Sequence, residues 1–226
     1  MLPATLVGLS SLAVLFPLVH AGVDPLLVQS GAGAWSGAED AVKVPVVLGV
    51  MSACPDAILC ENVFDHVVQR VGDKVDLTLT FIGKLNSSDP DFGVTCMHGQ
   101  NECAGNVQEL CAIKYAPFER WWEFVQCQNF QGRYEVGKPA TALKCANSAK
   151  LDWENSGDGK GEEGLSLLQQ SVQETNLLGI EKSCTVIING KQVCIRDGEW
   201  KQCEGGHTPA DFIRQIEEEY DKLNKD

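Results

Sequence analysis

The sequence predicts an α/β fold in which a parallel strand, helix, strand unit and a closing hairpin with its helix are separated by a helical, disulfide-rich insertion. Three observations lead there. Residues 44–51 form a continuous apolar run of strand length, followed by a helical apolar stripe and then an alternating stretch at 75–82. Asn189-Gly190 stands between two apolar runs, the strongest short hairpin signal a sequence offers. Of the ten cysteines, five fall between residues 83 and 164, where the pattern is loop and helix rather than strand.

The elements follow in order. The first run, with Pro45 near its start, reads as a strand buried on both faces. Residues 61–71 place Val63, Phe64, Val67, Val68 and Val71 on one helical face, and Gly72 ends it. Residues 75–82 set Val75, Leu77, Leu79 and Phe81 against Asp76, Thr78 and Thr80, a half-buried strand. Together these make a right-handed crossover unit of the kind that seeds parallel sheets. A polar loop through Asp91 leads to predicted helices at 103–115 and 118–130, the latter carrying Trp121, Trp122 and Val125 as core residues. Residues 152–164 read as an acidic, Gly-rich linker. Leu165, Leu168, Val172 and Leu177 then mark a helix with Gly179 at the position of a C-terminal cap. Residues 184–188 and 191–195 flank the turn as strands, and Thr208-Pro209-Ala210-Asp211 opens the last helix with an N-cap, a first-turn proline and a first-turn acid. With the helical middle set aside, the order is βαβ, helix, ββα. That is a thioredoxin-like order with an insertion at about 83–164.

Composition narrows the setting. At 226 residues and 44% apolar, the chain can build one well-buried core, here assigned to 44–226. Residues 1–21 carry no charge and form an apolar run ending in Val19-His20-Ala21, which reads as a signal peptide cleaved before Gly22. The competing reading is a membrane anchor. Pro17 and His20 break the run short of the ~20 residues a span requires, so no membrane span is expected after leader removal. Residues 22–43, rich in Gly, Ala and Ser, read as a flexible arm. Ten cysteines fit a disulfide framework in an oxidising compartment. Asn86-Ser87-Ser88 is a sequon, which makes Asn86 the expected N-glycosylation site of an exported chain. A net charge of −13 with scattered basic residues excludes nucleic acid as a partner.

The most specific motif runs from Cys96 through His98, Gly99, Glu102, Cys103 and Asn106 to Cys111, with the form C-x-H-G-x2-E-C-x2-N-x4-C. It resembles the signature of the gamma-interferon-inducible lysosomal thiol reductase family at all seven defining positions. The resemblance extends more weakly over about 44–203. It implies a thioredoxin-like fold and reduction of disulfide-containing protein substrates with a small-thiol reductant, in a secreted or acidic endolysosomal setting. Two departures touch the redox machinery. The family's C-x-x-C pair is replaced by C-x5-C, Cys54 to Cys60, and Cys184 stands where thioredoxin-like proteins tend to set a cis-proline.

The chemistry expected of these cysteines is thiol–disulfide exchange, with Cys54 as nucleophile at a strand-to-helix junction and Cys60 as the resolving thiol. Spacing imposes a condition. Six residues of unbroken helix rise about 9 Å, beyond the ~7 Å limit between bonded cysteine α-carbons, so residues 54–57 must loop if the two are to pair. The alternative is an inert staple, or separate partners, in a non-catalytic secreted binding or structural module. The signature residues are read as structural, and Cys103 and Cys111, about 12 Å apart on one helix, must find partners elsewhere. His98 and Glu102 read as hydrogen-bond partners that fix a loop. The spacing of Cys96, His98, Cys103 and Cys111 does not suit zinc, and neither metal nor organic cofactor is expected. A strict two-residue turn at Asn189-Gly190 sets Val186 opposite Val193 and Cys194 opposite Thr185. Cys194 is therefore expected to bond Cys203, across a loop at 196–202. Cys184 is expected near Cys54, bonded to the insertion or available as a third redox thiol.

Overall fold

The computed structural model describes residues 41–153 and 161–225. The assignments to 1–21 and to most of 22–43, and the middle of the acidic linker, lie outside these residues. Among the described residues no helix is long and apolar enough to cross a membrane.

Five strands make the central sheet in the order β2-β1-β5-β6-β7. Strand β1 (Val44–Val50) pairs parallel with β2 (Val75–Phe81) from Val44 opposite Val75 to Val50 opposite Phe81. Helix α1 (Pro55–Val71) crosses between them. A two-residue hairpin, β3 (Lys84–Leu85) with β4 (Val94–Thr95), stands apart from this sheet. The insertion continues as α2 (Gln100–Tyr115), α3 (Phe118–Gln131) and α4 (Pro139–Ser148). Helix α5 (Glu162–Leu177) precedes the antiparallel strands β5 (Thr185–Ile188), β6 (Lys191–Asp197) and β7 (Glu199–Lys201), and α6 (Pro209–Leu223) closes the fold.

The alternation of β1 and β2 builds the core. Val44, Val46, Leu48 and Val50 share a cluster with Leu77, Leu79 and Phe81, with Phe64 and Val67 of α1, and with Phe212 and Ile216 of α6. The rings of Phe64 and Phe212 lie 4.9 Å apart and join the two helices. Burying such aromatic side chains supplies several kcal/mol each in cores of this kind, roughly 3–5 on truncation to alanine. The other face of β2 receives α5 through hydroxyls: Thr80 Oγ1 lies 2.6 Å from Thr175 Oγ1, and Ser171 Oγ accepts from Phe81 N at 2.8 Å. Gly49 lies on this face too, where a Cβ would stand 2.5 Å from Ile180 Cγ2, so only glycine lets the chain after α5 pass. At the C-terminal helix, Thr208 and Asp211 form a reciprocal capping box with Pro209 behind it.

Several expectations are corrected. Helix α1 begins at Pro55 rather than near 57–61, because a first-turn proline is preset for helix and Cys54 takes the extended N-cap conformation. The stretch read as polar loop through Asp91 contains β3, which pairs with β4 just beyond it, and the loop at 196–202 is a hairpin turned at Gly198, φ +72°. The register of β5 and β6 also differs. Asn189 and Gly190 both adopt positive φ and hold Ile188 opposite Lys191, but a bulge follows, so that Val186 faces Cys194 and Thr185 faces Ile195. The extra residue is Val193, half-buried, and the slip turns Cys194 into the core on the side of Val186.

Candidate active site

The turn from β1 into α1 carries the site. Met51, Ser52 and Ala53 are buried, Cys54 is the N-cap residue, and its N–H donates to Met51 O at 2.8 Å while Ile58 N donates to its carbonyl at 3.1 Å. Unpaired N–H groups of a first helical turn favour negative charge at this position. Cys54 keeps a free thiol, and the residue three positions on, where a second cysteine of a C-x-x-C pair would stand, is the buried Ala57.

Cys60 does not pair with Cys54. It is bonded to Cys184, with α-carbons 6.2 Å apart and a separation of 124 positions in sequence. The reason is the unbroken first turn of α1: no loop brings residue 60 back toward residue 54, and Cys60 points with Ala57, Phe64 and Val67 into the core. The expectation that Cys60 resolves Cys54 directly is thereby corrected, as is the expectation that Cys184 is a separate thiol or bonded to the insertion.

Cys184 nevertheless lies beside Cys54. The Cys54 Sγ is 4.0 Å from the carbonyl oxygen of Ser183, whose peptide bond to Cys184 is cis. Ser183 Oγ accepts from Met51 N at 3.0 Å, and Cys184 O accepts from Arg196 N at 2.7 Å. The Arg196 guanidinium returns to the helix start, its Nη1 3.2 Å from Asp56 Oδ1, an ion pair by distance without hydrogen-bond angles. Asp56 Oδ2 also accepts from Gly198 N at 2.9 Å. Three strands of contact thus fasten the Cys54 turn to the segment that holds Cys184.

The signature residues fasten the same turn from the other side. Asn106 Oδ1 accepts from Ser52 N at 3.0 Å, and Glu102 O accepts from Ser52 Oγ at 3.1 Å. Gly105 lets α2 come this close, since a Cβ there would stand 2.6 Å from Ser52 Oγ. The start of α2 is itself braced. Cys96 bonds Cys103, Gly99 takes φ +88° at the N-cap, Glu102 Oε1 accepts from His98 N at 3.1 Å, and the His98 ring contacts Glu102 Oε2. Asn106 Nδ2 reaches Cys96 Sγ at 3.8 Å. Cys111 is buried farther along α2.

Elsewhere, Cys194 bonds Cys203 with α-carbons 4.3 Å apart across the β6–β7 hairpin, and Cys127 bonds Cys145 between α3 and α4. Asn86 follows β3 at the surface, its Nδ2 donating to Thr95 Oγ1 at 3.0 Å. Among the described residues no group of three or more His, Cys, Asp or Glu side chains is arranged to hold a metal ion.

One feature near the site carries no signal in the sequence pattern. Glu61, next to Cys60, and Glu109 of α2 are fully buried carboxyls. Glu61 accepts from Asn129 Nδ2 at 2.7 Å, yet its Oε1 and both oxygens of Glu109 have no hydrogen-bond partner. Burial pushes Glu61 up to about 7, and burial together with the neighbouring Glu61 and Glu102 charges holds Glu109 well above the usual carboxylate range.

Residues 45–149 match the family described as Gamma interferon inducible lysosomal thiol reductase (GILT). Two curated relatives are similar over the same part: GILT-like protein 1 of Drosophila melanogaster, 28% identical over 61% of this chain, and the Gamma-interferon-inducible lysosomal thiol reductase-like protein of Anopheles gambiae, 30% identical over 60%. The match spans 62% of the length of each relative. Among solved structures, BdbD from Bacillus subtilis in its oxidised form superimposes with a TM-score of 0.58 at 16% identity, covering 80% of this chain and 89% of that one. A thioredoxin-like oxidoreductase from Silicibacter pomeroyi superimposes with a TM-score of 0.53 at 14% identity, covering 80% and 88%. At such identities the likeness shows the fold, which is thioredoxin-like with a helical insertion.

Proposed function

We propose that the chain is a member of the gamma interferon inducible lysosomal thiol reductase family, and a thiol–disulfide oxidoreductase in which Cys54 is the sulfur that meets the substrate. One observation carries the reading: a free thiol at the N-terminus of α1, fastened on both sides, next to a disulfide contributed by a distant strand. Exposure selects Cys54 among the three. It retains 6% of its surface, whereas Cys60 and Cys184 retain none. As thiolate it attacks one sulfur of a protein disulfide, forms a mixed disulfide and releases the other sulfur as a thiol. The direction is reductive, with a small thiol as the ultimate donor, in a secretory or acidic endolysosomal compartment that the chain enters by its leader, with a glycan at Asn86.

The competing reading is a non-catalytic, disulfide-stapled binding module on the same fold, and the near-complete burial of Cys54 is what favours it. Insulin reduction with a small thiol as donor separates the two. The wild type accelerates it and Cys54→Ser does not. An unchanged rate in Cys54→Ser assigns the activity elsewhere, and no rate in either protein selects the binding module.

A further inference from the structure

We infer that Cys184 is the resolving cysteine of this protein, and that Cys54, Cys184 and Cys60 form a three-sulfur relay in which the Cys60–Cys184 disulfide is the form that accumulates after turnover. The inference rests on Cys54 as nucleophile and adds the partner that reading lacks. A nucleophile with Ala57 in place of a second cysteine forms a mixed disulfide and has no thiol on its own helix turn to release it. Cys60 does not fill the role, because the helix runs unbroken from Pro55 with Cys54 as its N-cap, and Cys60 lies in the core-facing stripe, already bonded to Cys184. Cys184 does. Its peptide nitrogen is bonded to the carbonyl that the Cys54 thiol faces at 4.0 Å, and Met51, Arg196 and Asp56 hold the two segments together.

Reduction enters through Cys54: its thiolate attacks Cys184 Sγ and frees Cys60, and a dithiol reductant then converts Cys54–Cys184 to two thiols and is itself oxidised to a disulfide. Cys54 thiolate attacks a substrate disulfide, forming the Cys54–substrate bond and expelling the first substrate thiolate, which takes up a proton. Cys184 thiolate then attacks Cys54 Sγ, forming Cys54–Cys184 and expelling the second substrate thiolate. Cys60 thiolate finally attacks Cys184 Sγ, restoring Cys60–Cys184 and freeing Cys54. Two electrons pass from the Cys60/Cys184 dithiol to one substrate disulfide, and Cys54 is unchanged at the end. Burial suits each part: Cys54 alone keeps exposed surface to meet the substrate, while Cys60 and Cys184, which keep none, exchange where stray thiols do not intercept them.

The test uses the full chain, reduced by a dithiol, desalted, and mixed with less than one equivalent of dithiobis(nitrobenzoate), whose two halves are counted as coloured thiolate. The wild type releases both halves and ends with Cys60–Cys184. In Cys184→Ser the first half is released and the second stays on Cys54 as a mass increment, its release slowed at least about 100-fold for want of an oriented intramolecular thiol. In Cys60→Ser both halves are released and peptide mapping finds Cys54–Cys184. Release of both halves from Cys184→Ser at the wild-type rate, or the absence of a Cys54–Cys184 bond from Cys60→Ser after reaction, overturns the relay. Should either variant not fold by circular dichroism, the wild type decides. Held at pH 8 with Cys60–Cys184 formed, then acid-quenched and alkylated, it yields molecules bonded at Cys54–Cys184 with Cys60 alkylated, and their absence overturns the relay. Failure of the nucleophile assignment looks different: Cys54→Ser then releases both halves.

Discussion

Glu61 makes stability fall as pH rises above the acidic range. Its carboxyl lies fully buried between α1 and α3, with Asn129 as its hydrogen-bond donor and Oε1 unpartnered, and burial moves it from 4.5 to about 7. In the unfolded chain it ionises near the ordinary value, so between about 4.5 and 7 the unfolded state sheds a proton that the folded state keeps. The folded pKa is the higher one, so the stabilisation is fully present below about 4.5 and is lost as pH climbs through about 7. At roughly 1.4 kcal/mol per pH unit this amounts to about 3 kcal/mol, a large share of the 5–15 kcal/mol typical of a domain. Glu109, raised by burial and by the Glu61 and Glu102 charges, acts in the same direction. Asp89, Asp197 and Asp211 are held low, chiefly by hydrogen bonds, and titrate below this window with the opposite sign. Urea unfolding at half-unit steps from pH 4 to 8 should show the wild type losing stability across the window. Glu61→Gln, which keeps an acceptor for Asn129 but cannot ionise, should be flatter. Wild-type stability that rises from pH 4.5 to 7, or a Glu61→Gln profile parallel to it, would refute the assignment.

Three other perturbations follow from the geometry. Asn106→Ala removes the acceptor of Ser52 N and leaves a buried N–H unpaired, so it should cost about 1–3 kcal/mol in urea unfolding and slow the reaction of Cys54 with dithiobis(nitrobenzoate) or an iodoacetamide probe. Thr208→Ala breaks the capping box of α6 and should cost about 1 kcal/mol with no change in Cys54 reactivity, which makes it a control for general loosening. Phe64→Ala removes the ring that packs on Phe212 and should cost about 3–5 kcal/mol in the same unfolding assay.

Local pattern sufficed where an element is long and its face decided by burial. Strands β1 and β2 have period-two stripes that the core reads directly, and α6 has a cap, a proline and an apolar stripe that agree. The hairpin strands β3 and β4 are two residues each, too short for any period to register, and α4 starts after Lys138 with no side-chain cap. The bulge in β6 escaped for a different reason. The turn residues fix only the pairing nearest the turn, and Val193 could be made the extra residue only by the burial of Cys194, which is a tertiary fact.

The misplaced partner of Cys60 follows from where α1 was taken to begin. A helix opening at 61 leaves Cys60 in the preceding loop and free to turn back on Cys54. A helix opening at Pro55 puts Cys60 three residues after Ala57 and four before Phe64, squarely in the stripe that faces the sheet, so its partner has to come from a strand. The signal was present in Pro55, a residue suited to the first helical position, and in Cys184, a cysteine where the sheet meets the start of α1. The signature motif fits the same account. Its residues lie forty and more positions from Cys54, and what Asn106 and the Glu102 carbonyl grip is Ser52, two residues ahead of it. That grip does not involve position 57. Placing alanine there leaves the presentation of Cys54 intact, and it leaves the release of a mixed disulfide to the cysteine across the turn.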